Sequence, residues 1–373
     1  MANEQLSIAF IRRGFSKSGG AEAYLQRLAA GVRAAGHGVL LVTTAEWPES
    51  SWPFGEILRL AGDSPMKFAD AVDRARLHER CDATMSLERV RHCDVYRAGD
   101  GVHRAWLARR ARAGGLMEHV SIALNPKHQR VRRLEDALFA QVGAGRVIAN
   151  SQMVRDEIIR FCGYPAERIE VVYNGVPNQQ FRFTEEQRAE SREHFEIAPE
   201  ETALLFVGSG WERKGLAYVL RALEEIDDPA LKLFVAGRGN ARAFRSRRAK
   251  FLGEVDALAA LYRAGDLFVL PTIYDPFSNA CLEALASGLP VVTTKANGFS
   301  EIITEGVHGS IVEEGQVPPL ANAIRFWSNA ARRQQARPAI LALAAEFDIS
   351  RNVARTLEIL LQAASAESTR FSA

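Results

Sequence analysis

TIYDPFSNACLEALASGLPV, residues 272–291, couples a turn to a helix and the helix to a strand. Asp275-Pro276-Phe277-Ser278 reads as the turn, and 279–287 as a helix capped by Ser278 or Asn279. Gly288-Leu289-Pro290 stops that helix, and the apolar pair Val291-Val292 opens the next strand. The helix start, from Phe277 to Ala280, offers free N–H groups to an anion. Glu283, one turn in, suits sugar hydroxyls better than phosphate, and Asp275 adds a second carboxylate eight residues earlier. A phosphate-seeking helix start beside a hydroxyl-seeking carboxylate is what a sugar-nucleotide site requires. An ordinary amphipathic helix with a surface Glu would use the same residues.

The same βα grammar extends to both sides of this stretch. Towards the C-terminal half, strands are expected at 203–207, 231–236, 267–270 and 291–294, with helices at 218–225 and 255–264. Towards the N-terminus, strands are expected at 6–11, 39–43, 83–86, 95–98, 146–149 and 171–173, and a helix at about 21–35. The polar stretch 178–201 reads as a boundary region. The resulting fold class is α/β: two Rossmann-like, doubly wound domains facing across a cleft. They span 1–177 and 178–351, and a last helix (about 352–373) could return to the first domain. Ligands of such sheets bind at the carboxyl ends of strands.

Composition narrows the class. The chain has 373 residues, 47% of them hydrophobic and 25% charged, as in soluble two-domain proteins. The net charge of +2 hides nine Lys and Arg against two acids between 97 and 133. Such a patch suits an anionic surface or substrate. Interleaved Trp106, Leu107, Leu116, Met117, Val120, Ile122 and Leu124 suit a membrane interface; a solvated basic face or a wall for a phosphorylated acceptor is the alternative. No apolar run is long enough to span a bilayer, and MANEQLSIAFI carries no secretory signal. Four cysteines without a CxxC pair fit reduced thiols, so a cytoplasmic location is expected. Nothing points to nucleic acid.

Four further stretches bear on the chemistry. Gly19-Gly20, after the first strand, lets backbone approach a phosphate, or simply makes a tight turn. Gly208-Ser209-Gly210-Trp211-Glu212-Arg213-Lys214-Gly215 follows a strand; its Arg fork and Lys point charge suit a diphosphate, with a solvated pair as the plainer reading. Gly237-Arg238-Gly239 closes another strand. Asp94-Val95-Tyr96-Arg97-Ala98-Gly99-Asp100-Gly101-Val102-His103 places Asp100 and His103 at a strand exit, where both could bind sugar hydroxyls and His103 could stabilise an anion. There is no DxD triplet and no zinc spacing, so neither a metal nor a cofactor is expected.

SGGAE (18–22), VIANSQMVRDEI (147–158), VVYNGV (171–176), FVGSGWERKGL (206–216), LFVAGRG (233–239) and AGDLFVLPTIYDPFSNACLEALASGLPVV (264–292) together resemble the family-4 retaining glycosyltransferases of GT-B architecture. The resemblance runs over nearly the whole chain. The family's E-x7-E pattern appears with Asp275 in the first position and Glu283 in the second. Within the family the chain looks most like the lipopolysaccharide core glucosyltransferase I group. That group has an acid where Asp100 stands and a basic, membrane-touching insert where 103–133 falls.

The resemblance implies an acceptor-binding first domain and a nucleotide-sugar-binding second domain. The implied reaction is transfer of a hexose from a nucleotide-diphosphate sugar, UDP-linked, to a lipopolysaccharide-core or lipid-linked saccharide. Asp100, Arg213 and Lys214 would serve the chemistry. Gly19, Gly20, His103, Arg213, Lys214, Gly237, Arg238, Asp275, Phe277, Ser278, Asn279, Ala280 and Glu283 would bind the donor. A sugar-nucleotide epimerase of the same architecture and a non-catalytic, membrane-bound sugar-binding protein are the alternatives.

Overall fold

The structure, a computed structural model, describes residues 5–15, 20–244 and 246–370; the side chains of 113–118 and 366–370 lie outside that description. The chain forms two compact units. One comprises 1–173 with 351–373, the other 174–350.

The first unit holds seven strands: β1 (Ser7–Ile11), β2 (Gly38–Thr43), β3 (Glu56–Arg59), β4 (Ala83–Ser86), β5 (Cys93–Ala98), β6 (Ala144–Ala149) and β7 (Ile169–Val171). They lie in the order β3-β2-β1-β4-β5-β6-β7, with every pairing parallel. Ile8 to Ile11 and Val147 to Ala149 are fully buried, as expected for strands covered on both faces. The order reverses between β1 and β4, which makes their carboxyl ends the unit's switch point. The last helix, Ile349–Arg370, packs back on this unit. The Tyr24 hydroxyl meets that of Thr356 at 3.3 Å, and Arg355 pairs with Glu170.

The second unit holds β8 (Thr202–Val207), β9 (Leu231–Ala236), β10 (Ala249–Gly253), β11 (Leu267–Leu270), β12 (Val291–Thr294) and β13 (Gly309–Val312). Their order is β10-β9-β8-β11-β12-β13, again all parallel. Here the reversal falls between β8 and β11. Their exits lead into the glycine loop at 208 and the turn at 271–278, the two stretches singled out by sequence.

Some boundaries differ from expectation. The stretch 178–201, read as a boundary region, lies within the second unit and contains the helix Glu185–His194, whose Arg188 and Arg192 reach Asp266 at 2.8 and 2.9 Å. Arg333 joins them at 3.3 Å, tying two helices to the start of β11. The helix expected at 255–264 begins only at Leu258, and the strand expected at 171–173 lies at Ile169–Val171. The edge strands β3, β10 and β13 escaped the sequence reading: β3 and β10 are half-exposed, and β13, Gly309–Val312, holds only two adjacent apolar residues.

Candidate functional site

In the second unit, the chain leaves β8 through Gly208 and turns at Gly210 into the short helix Trp211–Lys214. Gly215 ends that helix with φ +82°, and a Cβ there would lie 2.1 Å from the Pro271 carbonyl oxygen. This close approach locks the Arg213-Lys214 turn onto the exit of β11. Arg213 donates to the Tyr274 carbonyl at 2.7 Å, and its own carbonyl accepts from the Ile273 amide at 2.9 Å. Lys214 forms an ion pair with Asp275. The two side chains are only 12% and 8% exposed, so the pair is largely desolvated. Asp275 is held at both backbone ends: its amide donates to Ala296, and its carbonyl accepts from Gly298.

The helix Asn279–Ala286 starts beside this pair in sequence. Ser278 caps it, accepting from the Cys281 amide at 3.4 Å. Asn297 accepts from the Ser278 amide at 3.2 Å and so fixes the entry of the helix. The first-turn amides of Asn279 and Ala280 have no intrahelical partner, as at any helix start. The Asn279 side-chain oxygen accepts from Asn174 at 2.6 Å, which leaves its backbone N–H and its side-chain NH2 as donors for an anion. Phe277, expected to touch a donor, is buried, with its ring edge-on to Phe299. Glu283 accepts from the Tyr262 hydroxyl at 3.0 Å. Burial and this carboxylate raise the tyrosine well above its usual range, so it stays a donor.

Gly237 and Arg238 belong to the neighbouring loop. A Cβ at Gly237, φ +107°, would meet the Gly208 carbonyl oxygen at 2.3 Å, so only glycine lets the two loops touch. The Gly210 amide donates to the Arg238 carbonyl at 3.1 Å, and the exposed Arg238 side chain lies 3.6 Å from Glu254. The second unit thus gathers two cations, two carboxylates and a helix start at the carboxyl ends of β8 and β11.

The remaining candidates belong to the first unit. Gly19 lies outside the described residues, and Gly20 opens the helix Gly20–Ala34. Asp100 is exposed on the loop after β5. His103 opens the helix His103–Leu124 and turns its Nε2 to His128 Nδ1 at 3.1 Å. Burial, then the positive neighbours Arg89, His128, Arg132 and Lys127, hold His103 down to about 4. It is therefore neutral at pH 7 and would meet a sugar hydroxyl or an anion as a neutral hydrogen-bonding group, not as a cation. Sequence reasoning missed Arg12, which bridges Glu22 at 3.1 Å and Glu88 at 3.0 Å at this unit's switch point. It also missed Asn174, Tyr262 and Asn297. The NG dipeptides at 174 and 297 were the available signal, and both suggest only a turn.

The basic stretch folds as two helices, His103–Leu124 and Pro126–Leu138. Not all of its residues face solvent. Arg97 is buried with its guanidinium 3.9 Å from the Tyr24 ring centre. Arg104 pairs with Asp136, Arg109 with Glu157, and Leu107 is core. Arg112, Lys127, Arg130, Arg132 and Arg133 are exposed, as are Val120 and Leu124; the side chains of Leu116 and Met117 lie outside the described residues. No described helix is long and apolar enough to cross a membrane. Among the described residues, no group of three or more His, Cys, Asp or Glu could hold a metal ion.

Comparison with known proteins agrees with this geometry. The Glycosyltransferase Family 4 domain matches residues 18–180, and the Glycosyl transferases group 1 domain matches 201–329. An uncharacterized glycosyltransferase of Methanocaldococcus jannaschii is 32% identical over 178 residues, 44% of this chain and 46% of its own length. A glycogen synthase of Mycobacterium tuberculosis is 32% identical over 233 residues, 58% of this chain and 54% of its own length. The chain thus spans about half the length of the curated relatives it matches.

Solved structures show the fold. WaaG, a glycosyltransferase involved in lipopolysaccharide biosynthesis, superposes with a TM-score of 0.81 at 20% identity, covering 95% of this chain and 99% of its own. HepE of Anabaena, in complex with UDP-glucose, gives 0.73 at 21% identity, covering 98% and 100%. The two parallel sheets, the two matched domains and these neighbours place the chain in one family: it belongs to the group 1 and family 4 glycosyltransferases, of the two-domain GT-B type.

Proposed function

We infer that the protein is a retaining hexosyltransferase that takes a hexose, glucose in this reading, from a UDP-linked donor. The acceptor is a lipopolysaccharide-core or other lipid-linked saccharide. One observation carries the reading: Arg213, the Lys214–Asp275 pair and the first turn of Asn279–Ala286 come together at the switch point of the second unit. A diphosphate bound there would meet the Arg213 fork, the remaining Lys214 hydrogens and the Asn279 and Ala280 amides. Asp275, already holding Lys214, has a second carboxylate oxygen for a sugar hydroxyl. Glu283 would hold the ribose.

The chemistry then needs no enzymic nucleophile. The acceptor hydroxyl attacks on the face from which the diphosphate departs, and the departing phosphate oxygen takes its proton. Stabilising the charge that develops on the leaving group is the dominant contribution. Arg213 and Lys214 supply it in place of a metal ion, so activity is expected without one. Asp100 would orient the sugar or acceptor. The binding of UDP and UDP-glucose by HepE supports the choice of donor base. The exposed cations Arg112, Lys127, Arg130, Arg132 and Arg133, with Val120 and Leu124, support reversible attachment to an anionic membrane on the cytoplasmic side.

The experiment is a donor panel followed by turnover on core-oligosaccharide acceptors. Free nucleotide appearing only when donor and acceptor are both present supports transfer. Interconversion of the donor sugar without acceptor supports an epimerase instead. Donor binding with neither reaction supports a binding protein.

A further inference from the structure

A second cation-lined cavity lies in the same unit, away from the switch point. It has a volume of about 360 Å³ and is lined by Arg337, Arg182, Phe181, Phe183, Ser287 and Leu341, among others. That volume is in the range of small-molecule sites. Arg337 stands on the helix Ala330–Glu346, one turn beyond Arg333. The contrast between the two is informative. Arg333 is fully engaged by Asp266 and the carbonyls of Trp327 and Ser328. Arg337 is half-buried yet has no carboxylate or carbonyl partner among the described residues; its guanidinium carbon lies 4.7 Å from the Phe183 ring centre.

A capping role does not account for it. The guanidinium lies against Gly288, where a Cβ would come within 3.2 Å of it, at the C-terminal end of Asn279–Ala286. That end is already closed: the Leu289 amide donates to Ala284 and the Gly288 amide to Leu285, the paired bonds of a Schellman stop. Ser287 bonds the Glu283 carbonyl through both its amide and its hydroxyl. Burial lowers the Arg337 pKa, Glu185 opposes this, and Arg188 adds repulsion. A half-buried guanidinium whose nearest acid, Glu185, forms no ion pair with it is costly, and a bound anion relieves that cost.

We propose that this cavity is a second ligand site, taking the phosphate of a small organic phosphate ester on Arg337 and Arg182, with its organic body against Phe183 and Leu341. Two guanidinium forks suit a dianionic phosphate better than a single carboxylate. The site is distinct from the proposed diphosphate site. The two sit at opposite ends of one eight-residue helix, about 12 Å long at 1.5 Å per residue.

The test is a titration of the full chain with glycerol 3-phosphate, following the backbone amide signals of Phe183, Ala286 and Ser287. It is run in an Arg213→Ala background, so its outcome does not depend on the transferase reading. Saturable shifts at these amides are expected, with glycerate binding more weakly. Arg337→Leu is expected to weaken the binding by about tenfold or more, the worth of one charged hydrogen bond. Absence of saturable shifts at these amides overturns the proposal, as does unchanged affinity in Arg337→Leu or equal binding of glycerate. Should Arg337→Leu fail to fold, Arg337→Lys decides. A loss of about threefold or more supports the planar fork, and a smaller loss overturns it.

Discussion

Replacing Lys214 by Met removes a charge and keeps most of the stem. In the structure it leaves the Asp275 carboxylate, 8% exposed, without its cation. Breaking one partner of a buried pair costs about 3–5 kcal/mol, because the other charge is stranded. At about 2–4 °C per kcal/mol for a unit of this size, the second unit should melt about 6–20 °C lower. The lysine therefore matters for folding as well as for chemistry, which its place on a glycine loop did not suggest from sequence. Asp275→Asn introduced into Lys214→Met removes the stranded charge and should recover most of that stability. It should not recover turnover, which is expected to fall about ten- to hundredfold with loss of the contact to the diphosphate. The assay is a double-mutant cycle: thermal melts of the four proteins, with nucleotide release measured in parallel. Stability effects that add to within about 0.5 kcal/mol would mean that the two side chains do not interact, and the pair would have to be abandoned.

Three further outcomes are expected. Glu283→Gln should raise the donor dissociation constant, because the amide offers one acceptor oxygen where the carboxylate offers two; an equal loss for a 2′,3′-dideoxyribose donor, read by calorimetry, would contradict the ribose contact. Gly215→Ala forces a Cβ to within 2.1 Å of the Pro271 oxygen at φ +82°, so it should displace the Arg213-Lys214 turn and abolish donor binding; wild-type affinity would show that the turn does not depend on this contact. Charge reversal at Lys127, Arg130, Arg132 and Arg133 should abolish co-sedimentation with anionic vesicles at low salt, each cation near the surface being worth about 1 kcal/mol; failure of the unmodified protein to bind such vesicles would leave a phosphorylated acceptor as the patch's partner.

The core of each unit was legible because buried parallel strands are continuous apolar runs: ALLFV at 203–207 and LFVL at 267–270 could hardly be anything else. The Arg213-Lys214 loop was legible because glycines bound it and a strand precedes it. Its partner was not. Lys214 and Asp275 lie 61 positions apart, and only the adjacency of β8 and β11 brings them together. The Asn174–Asn279 bond spans 105 positions and is invisible for the same reason. The contact between His103 and His128 was invisible because the two lie on different helices. Arg109 was counted as surface charge because Glu157, its partner, lies 48 positions downstream. Local chemistry was readable wherever one segment supplied it. Pairings that need the topology were not.

The decisive measurement is the proton NMR spectrum of the product formed from UDP-α-glucose and a core-oligosaccharide acceptor in excess EDTA. An α-linked anomeric signal growing in step with UDP release is predicted, because Arg213, Lys214 and the helix start carry the leaving-group charge and the acceptor attacks from the face of departure. A β-linked product, or transfer that stops in EDTA and returns with magnesium, would contradict it.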